Sequence, residues 1–429
     1  MEKAFPALQN WRRIFHAEPE TGWTEYAATY RITKELEQLN GEVFTGKDAV
    51  ASEKRMGLPS STELKAAEER ALHVGATSSF MEKLQGGHTG AVIRFHTGRP
   101  GPHIAFRVDI DALPVREDST PSHFPVKEGF ASERPDRMHA CAHDGHSAIG
   151  LALAWYISEH LDELCGTITV LFQPAEEGSR GAAAMVAKGW LDDADYFIGG
   201  HIGIQDASVG TIAAGADTFL ATTKFNIKFS GKASHAGAKP EEGRNALLAA
   251  AAAVQNMHAI PRHSEGQTRI NIGTLSAGSG RNVIPDSAYL EGETRGETTE
   301  LDQWMFSEVK RIVDGAAQMY GVSSSIEVCG CGIAAECDVE FSQIVNRAGD
   351  ASRFISRVHP SLSIGASEDA TQMMKHVQNR GGSATYMLFG TPLAAGHHHP
   401  SFDYDETVLK SGLAAFIHTM HIVLEEDKQ

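Results

Sequence analysis

The sequence predicts an α/β fold: a mostly parallel sheet with helices on both faces, plus a smaller inserted α+β domain. Apolar runs of strand length, each ending in a polar cluster, alternate with helical patterns, and that alternation gives parallel strands covered on both sides. Near residue 217 the texture changes to half-exposed strands and Ala-rich helix, and the apolar-run pattern returns only towards the C-terminal end. At 429 residues the chain is long enough for more than one core. These features divide it into residues 1–217 with 333–429, and an insertion at 218–332.

Residues 10–40 read as helical, interrupted at Pro19 and Gly22, and the Ala-, Glu- and Lys-rich stretch 60–86 reads as helix. Gly41 to Lys47 matches part of a phosphate loop, but Asp48 stands where a magnesium-binding hydroxyl belongs and no βαβ pattern surrounds it, so nucleotide binding is set aside. His103 to Asp109 is a strand running into Asp109-Ile-Asp111. Thr167 to Phe172 runs into Gln173-Pro-Ala-Glu176-Glu177-Gly, Asp195 to Gly200 into His201, and Ser383 to Phe389 into Gly396-His-His-His399. Helices are expected at Ser147 to Leu164 and Gly181 to Leu191. In the insertion, strands at 222–229, 268–273, 289–295 and 325–328 surround helices at 245–260 and 301–319. Ligands bind at the carboxyl ends of parallel strands, which gathers the four polar clusters along one sheet edge.

The formal charge of −17 argues against non-specific binding to nucleic acid or an anionic membrane. The N-terminal residues lack the apolar stretch of a signal peptide, and the longest apolar run, Ala246 to Val254, is too short to span a bilayer. Five cysteines suggest no disulfide scaffold. A reducing, cytoplasmic location is expected. Cys329-Gly-Cys331 has no second pair at zinc-site spacing and is read as strand.

The densest chemistry lies in Met138-His-Ala-Cys-Ala-His-Asp-Gly-His146, where three imidazoles, a thiol and a carboxylate fall within nine residues. Thiolate and imidazole suit zinc and neighbouring divalent ions. The competing reading, a polar helix start capped by Asp144, accounts poorly for such density. Glu176 and Glu177 leave a strand with side chains on opposite sides, so one can hold a metal while the other faces water. A Cys/His/Glu/His/His set is too many donors for one tetrahedral ion and suits two ions sharing a bridge, with Cys141 the plausible bridge.

Arg107-Val-Asp-Ile-Asp-Ala-Leu-Pro114, the 138–146 cluster, Gln173 to Gly178, Ala233-Ser-His-Ala-Gly237 and Asn282-Val-Ile-Pro285 occur in order. Together they resemble the aminoacylase/carboxypeptidase branch of di-metal metallopeptidases, which includes hippurate hydrolase and the auxin-amino-acid hydrolases. Arg55-Met-Gly-Leu-Pro59, Gly278 to Asn282 and Ala394 to His398 narrow the resemblance to the members that hydrolyse p-aminobenzoyl-glutamate. The resemblance implies metal ligands at Cys141, His143, Glu177, His201 and His398, the last chosen because it stands four residues before Phe402. It implies Glu176 as general base, Asp109 as a carboxylate orienting a ligand, and Arg107 at a position where broader relatives carry a metal-binding His. It makes the insertion a lid and dimerisation module whose His235 reaches a neighbouring subunit's site to stabilise an oxyanion. Asn282 and Arg295, with Arg281 as a further candidate, would hold the substrate carbonyl and carboxylate.

The expected cofactors are two divalent ions (Zn, Mn, Ni or Co), and the expected substrate is a small N-acyl amino acid. Assembly as a homodimer, or a heterodimer with a homologous B subunit, follows from the same resemblance. The alternatives are a broader N-acyl-amino-acid or dipeptide hydrolase, and a weakly catalytic partner that stabilises a homologous chain. One departure stands out: Ala142 occupies the place of the usual Gly between Cys and His, and a positive φ there would strain Ala by ~1 kcal/mol.

Overall fold

The computed structural model describes residues 2–426, excluding the side chains of 204–206 and 426. The chain separates into two compact units. One comprises Met1–Asp217, Ala335–Ile364 and Asp369–Gln429; the other comprises Thr218–Ala334 with Gly365–Glu368.

The first unit is built on an eight-stranded sheet in the spatial order Glu42–Thr45, Ala91–His96, Thr167–Gln173, His103–Asp109, Tyr196–Asp206, Ser383–Thr391, Thr211–Ala213, Arg357–His359. Its four central strands run parallel, as the alternation of strand and helix predicted. The flanking strand Ala91–His96 joins Thr167–Gln173 antiparallel, and Thr211–Ala213 joins Ser383–Thr391 antiparallel. Central strands buried on both faces read as unbroken apolar runs, and all seven residues of His103–Asp109 are buried.

The helix His143–Glu159 crosses one face. It packs so closely that a Cβ on Gly150 would stand 2.6 Å from Val108 Cγ2 and 2.9 Å from Phe172 Cε1. A side chain at 150 would lift this helix off the sheet. Its first turn carries His143 and Asp144, so its close packing also fixes their position.

The expected helix over 60–86 is two, Ser61–His73 and Ser78–Leu84, parted at Gly75 with φ +101°. Gly41 to Lys47 forms the edge strand Glu42–Thr45 and the start of the 3-10 turn Gly46–Asp48, followed by a second 3-10 turn, Ser52–Lys54, rather than by an α-helix that would present its amides to a phosphate.

The second unit has a four-stranded antiparallel sheet, ordered Ser323–Gly332, Ala221–Ser230, Ser287–Gly296, Thr268–Ala277. Phe225, Ile227 and Phe229 point to one face, the period of two that an amphipathic strand requires. They meet Met305, Val309 and Val313 of the helix Thr299–Tyr320 and the alanines of Ala246–His258 in a separate core.

Candidate metal centre

The carboxyl ends of three parallel strands and the start of one helix bring the predicted donors together in the first unit. Cys141 lies just before the helix His143–Glu159, Glu177 on the turn after Thr167–Gln173, His201 within Tyr196–Asp206, and His398 after Ser383–Thr391. Two sets of three, Cys141/His143/His201 and Cys141/Glu177/His398, each place their donor atoms within 4.8 Å of one another. Cys141 is common to both. Strands parallel in space and distant in sequence do what no local spacing could: they converge on one thiol.

Hydrogen bonds fix the imidazoles so that free nitrogens face that thiol. His143 donates from Nδ1 to the Asp111 carbonyl at 2.8 Å, which leaves Nε2 as the inward atom. His201 donates from Nδ1 to the Ile202 carbonyl at 2.9 Å, and its Nε2 stands 3.5 Å from Cys141 Sγ. Such carbonyl partners set the tautomer of metal-binding histidines. Among the described residues, His143 Nε2 and Glu177 Oε1 are buried without a hydrogen-bond partner, a costly state for a protein interior unless a cation satisfies them. Glu177 Oε1 lies 3.5 Å from His398 Nε2. The donor set therefore fits a divalent metal.

The protonation of these groups carries the same message. Burial, reinforced by the Glu177 charge, pushes the Cys141 thiol well above its usual range. Burial also raises Glu177 to about 7, aided by the charges of Asp111 and Asp109. Burial alone would lower His143, but Asp109, Asp111 and Cys141 outweigh it and hold the imidazole protonated. Donors of this kind bind a metal by giving up their protons, which makes affinity depend on pH.

Glu176 lies beside these sets and forms a further group of possible donors with His143 and Glu177. Its Oε2 is 3.9 Å from His143 Nε2 and belongs to neither Cys141 set. Asp109 stands directly against one of these donors, with Oδ2 3.8 Å from His143 Nε2. Its oxygens go to His146 Nδ1 at 2.5 Å and Arg107 Nη1 at 2.7 Å. His146 in turn accepts from the Ile202 amide at 2.9 Å, and its ring meets that of His201 edge-on at 4.6 Å between centroids. With both ring nitrogens engaged, His146 is a spacer in the second layer. Arg107, fully buried, also donates to Gln173 at 2.8 Å and Asp369 at 3.2 Å.

His397 was indistinguishable from its neighbours in the His397-His398-His399 triplet. Its Nδ1 lies 3.4 Å from Cys141 Sγ while Nε2 donates to the Gly203 carbonyl at 2.8 Å. His398 has φ +62° and a half-exposed side chain. Asp111 carries no sequence signal of its role, because it acts through its carbonyl on His143 and through its carboxylate on the backbone amides of Glu176 and Glu177.

The remaining predicted residues lie in the second unit. His235 bridges Val283, and the Ala236 amide donates to the Asn282 carbonyl at 3.0 Å, so His235, Asn282 and the adjoining Arg281 form one exposed cluster. His235 Nδ1 accepts from the Gly237 and Ala238 amides, which leaves the proton on Nε2 as an outward donor. Arg295 stands apart on Ser287–Gly296, where it pairs with Glu293 at 2.9 Å.

The profile described as Peptidase family M20/M25/M40 matches residues 105–421. Over 409 residues the chain is 47% identical to the A subunit of p-aminobenzoyl-glutamate hydrolase of Escherichia coli (strain K12), spanning 94% of this chain and 93% of that protein. It is 45% identical over 413 residues to indole-3-acetyl-aspartic acid hydrolase of Enterobacter agglomerans, spanning 95% and 94%. The crystal structure of an aminobenzoyl-glutamate utilization protein from Klebsiella pneumoniae superposes with a TM-score of 0.85 at 39% identity, covering 99% of this chain and 96% of that one. Donors converging on a shared thiol and likeness along nearly the whole length agree: the chain belongs to peptidase family M20/M25/M40 and is a metal-dependent amidohydrolase.

Proposed function

We propose that this chain hydrolyses p-aminobenzoyl-glutamate to p-aminobenzoate and glutamate, which would place it in the use of folate breakdown products. The observation that carries the reading is the arrangement around Cys141: two donor sets share the thiol, and Glu176 lies outside both while standing close to His143 and Glu177. Likeness to the Escherichia coli hydrolase and to the Klebsiella pneumoniae protein supports the substrate.

Cys141, His143 and His201 would hold one ion, and Cys141, Glu177 and His398 the other. Two divalent ions there would supply Lewis-acid polarisation of the amide carbonyl and make a water more acidic. Glu176 would take the proton of the attacking water and return it to the leaving nitrogen. His235, carrying its proton on Nε2, would donate to the developing oxyanion, and Asn282 to the carbonyl. Arg295, or Arg281, would hold the substrate carboxylate as a bidentate partner. Arg295 would first have to leave Glu293. The chain would work in the cytoplasm, which suits its free cysteines, as a dimer with itself or with a homologous B subunit.

A second reading is favoured by the Enterobacter agglomerans relative, whose named substrate also joins an aromatic acyl group to an acidic amino acid. It broadens the activity to N-acyl amino acids. Comparing kcat/KM for p-aminobenzoyl-glutamate, indole-3-acetyl-aspartate and hippurate separates the two. Equal rates on all three would favour the broad reading. The complete donor set argues against a purely supporting role, which turnover by the chain made alone would exclude.

The role split has its own test. Glu176→Ala should keep its metal and lose turnover by about 10²–10⁴-fold, whereas Glu177→Ala should lose metal. The reverse pattern in metal analysis would exchange their roles.

A further inference from the structure

The turn that carries Glu176 and Glu177 bends through three residues with positive φ: Ala175 at +52°, Gly178 at +91° and Ser179 at +58°. A backbone of this kind turns successive amides the same way and forms a concavity that attracts anions. Here the concavity is filled from within the protein. Glu25 Oε1 accepts from the Ala175 amide at 2.8 Å. The two oxygens of Asp111 accept from the amides of Glu176 at 3.1 Å and Glu177 at 3.0 Å. Further along, Asp369 Oδ2 accepts from Gly181 at 3.1 Å and Ala182 at 2.9 Å. All three carboxyl groups are at most 1% exposed.

Glu25 is the unexpected member. It occupies the N-cap of the helix Tyr26–Leu36, yet its side chain makes no bond to the amides of that helix. Glu20 serves that end instead, accepting from Ala27 at 2.8 Å and Ala28 at 3.1 Å. Glu25 is thereby released to reach across to Ala175, with its other oxygen tied to the Thr89 hydroxyl at 2.7 Å. Asp111 links the turn to the metal donors, since its carbonyl also receives the His143 Nδ1 proton.

We infer that Glu25 and Asp111 are positioning residues: through the amides of 175, 176 and 177 they hold the turn in the one conformation that separates the Glu176 and Glu177 side chains. This rests on the proposed roles of those two carboxylates. A merely structural role would lower stability and leave the turnover per folded, metal-loaded molecule unchanged.

The test is steady-state kinetics on metal-loaded Glu25→Ala, Glu25→Gln and Asp111→Asn, with hippurate beside p-aminobenzoyl-glutamate and metal content measured on each preparation. Glu25→Ala should lose kcat by about 10- to 100-fold on both substrates with KM within about 3-fold of the parent. Glu25→Gln should recover kcat to within about 3-fold, because its amide oxygen still accepts from Ala175 and its NH2 still meets Thr89. Asp111→Asn should fall with Glu25→Ala, because its single amide oxygen cannot replace two carboxylate oxygens that each accept from a different N–H. Full kcat in Glu25→Ala overturns the inference, as does failure of Glu25→Gln to recover. If Glu25→Ala does not fold, the comparison of Glu25→Gln with Asp111→Asn decides, and equal kcat in the two overturns it. A parent protein inactive on p-aminobenzoyl-glutamate would instead sink the proposed function.

Discussion

Ala142, in the place of the usual Gly, does take the positive φ that strains a residue with a Cβ. It adopts φ +65° and ψ +12°, the left-handed region, directly between Cys141 and His143. A non-glycine residue there carries local strain, which persists only where surrounding contacts over-determine the backbone. The adjoining contacts do so: His143 is tied to Asp111, and Ala142's carbonyl accepts from the amides of Gly145 and His146. Ala142→Gly should therefore stabilise the metal-free protein by about 1 kcal/mol, the steric relief exceeding the added chain entropy of glycine. Urea unfolding in the presence of a chelator measures it, and a destabilised variant would show that the Cβ packs usefully. At this scale Cys141 and His143 stood out as candidate donors because thiol and imidazole are rare in such density, whereas the choice of Glu177 over Glu176 rested on the resemblance. The choice among His397, His398 and His399 rested on a motif, since three adjacent identical side chains carry no local signal of which one faces the thiol.

Among the elements, strands and helices with clean periodicity were readable, and those whose form is imposed by neighbours were not. The strand Ala91–His96 escaped notice because nothing in its composition tells that it adds antiparallel to a parallel core. The start of the helix Tyr26–Leu36 shows the same limit, since its cap comes from Glu20, outside the helix. That arrangement has a consequence for pH. Burial raises Glu20 to about 7, with the Ala27 and Ala28 amides and Arg70 opposing only part of the penalty. A carboxyl whose folded pKa lies above its unfolded value contributes stability below the unfolded value, near 4.5, and loses it as pH rises through about 7. Glu20→Gln keeps an acceptor for both amides and removes the titration. It should match the parent at pH 4.5 and exceed it at pH 8 by up to about 3 kcal/mol, measured by urea unfolding with chelator throughout. A constant difference across that range would show that Glu20 does not titrate in the fold.

In the whole molecule, the gathering of the polar clusters was legible because a parallel sheet forces its loops to one edge, however far apart they lie in sequence. The eight-strand order was not, since it depends on crossovers that composition does not encode. Nor could any run of residues reveal that the N-terminal helix Phe5–Ala17 is locked to the C-terminal segment by Arg12, whose guanidinium meets Asp144, Asp403 and Glu406 inside the first unit. The assembly in which His235 would act makes a prediction in solution. If His235 serves the neighbouring protomer, the two halves of the machinery are separable between chains. His235→Ala and Glu176→Ala homodimers should each be nearly inactive. Co-expressed, they form mixed dimers in which one site has both defects and the other has neither. Random pairing makes half the dimers mixed, each with one intact site of two, so the mixture should recover about a quarter of parental activity. If His235 instead serves its own chain, every site in every dimer carries one defect. The mixture would then stay as inactive as its parents, which a single activity measurement on the co-purified pair distinguishes.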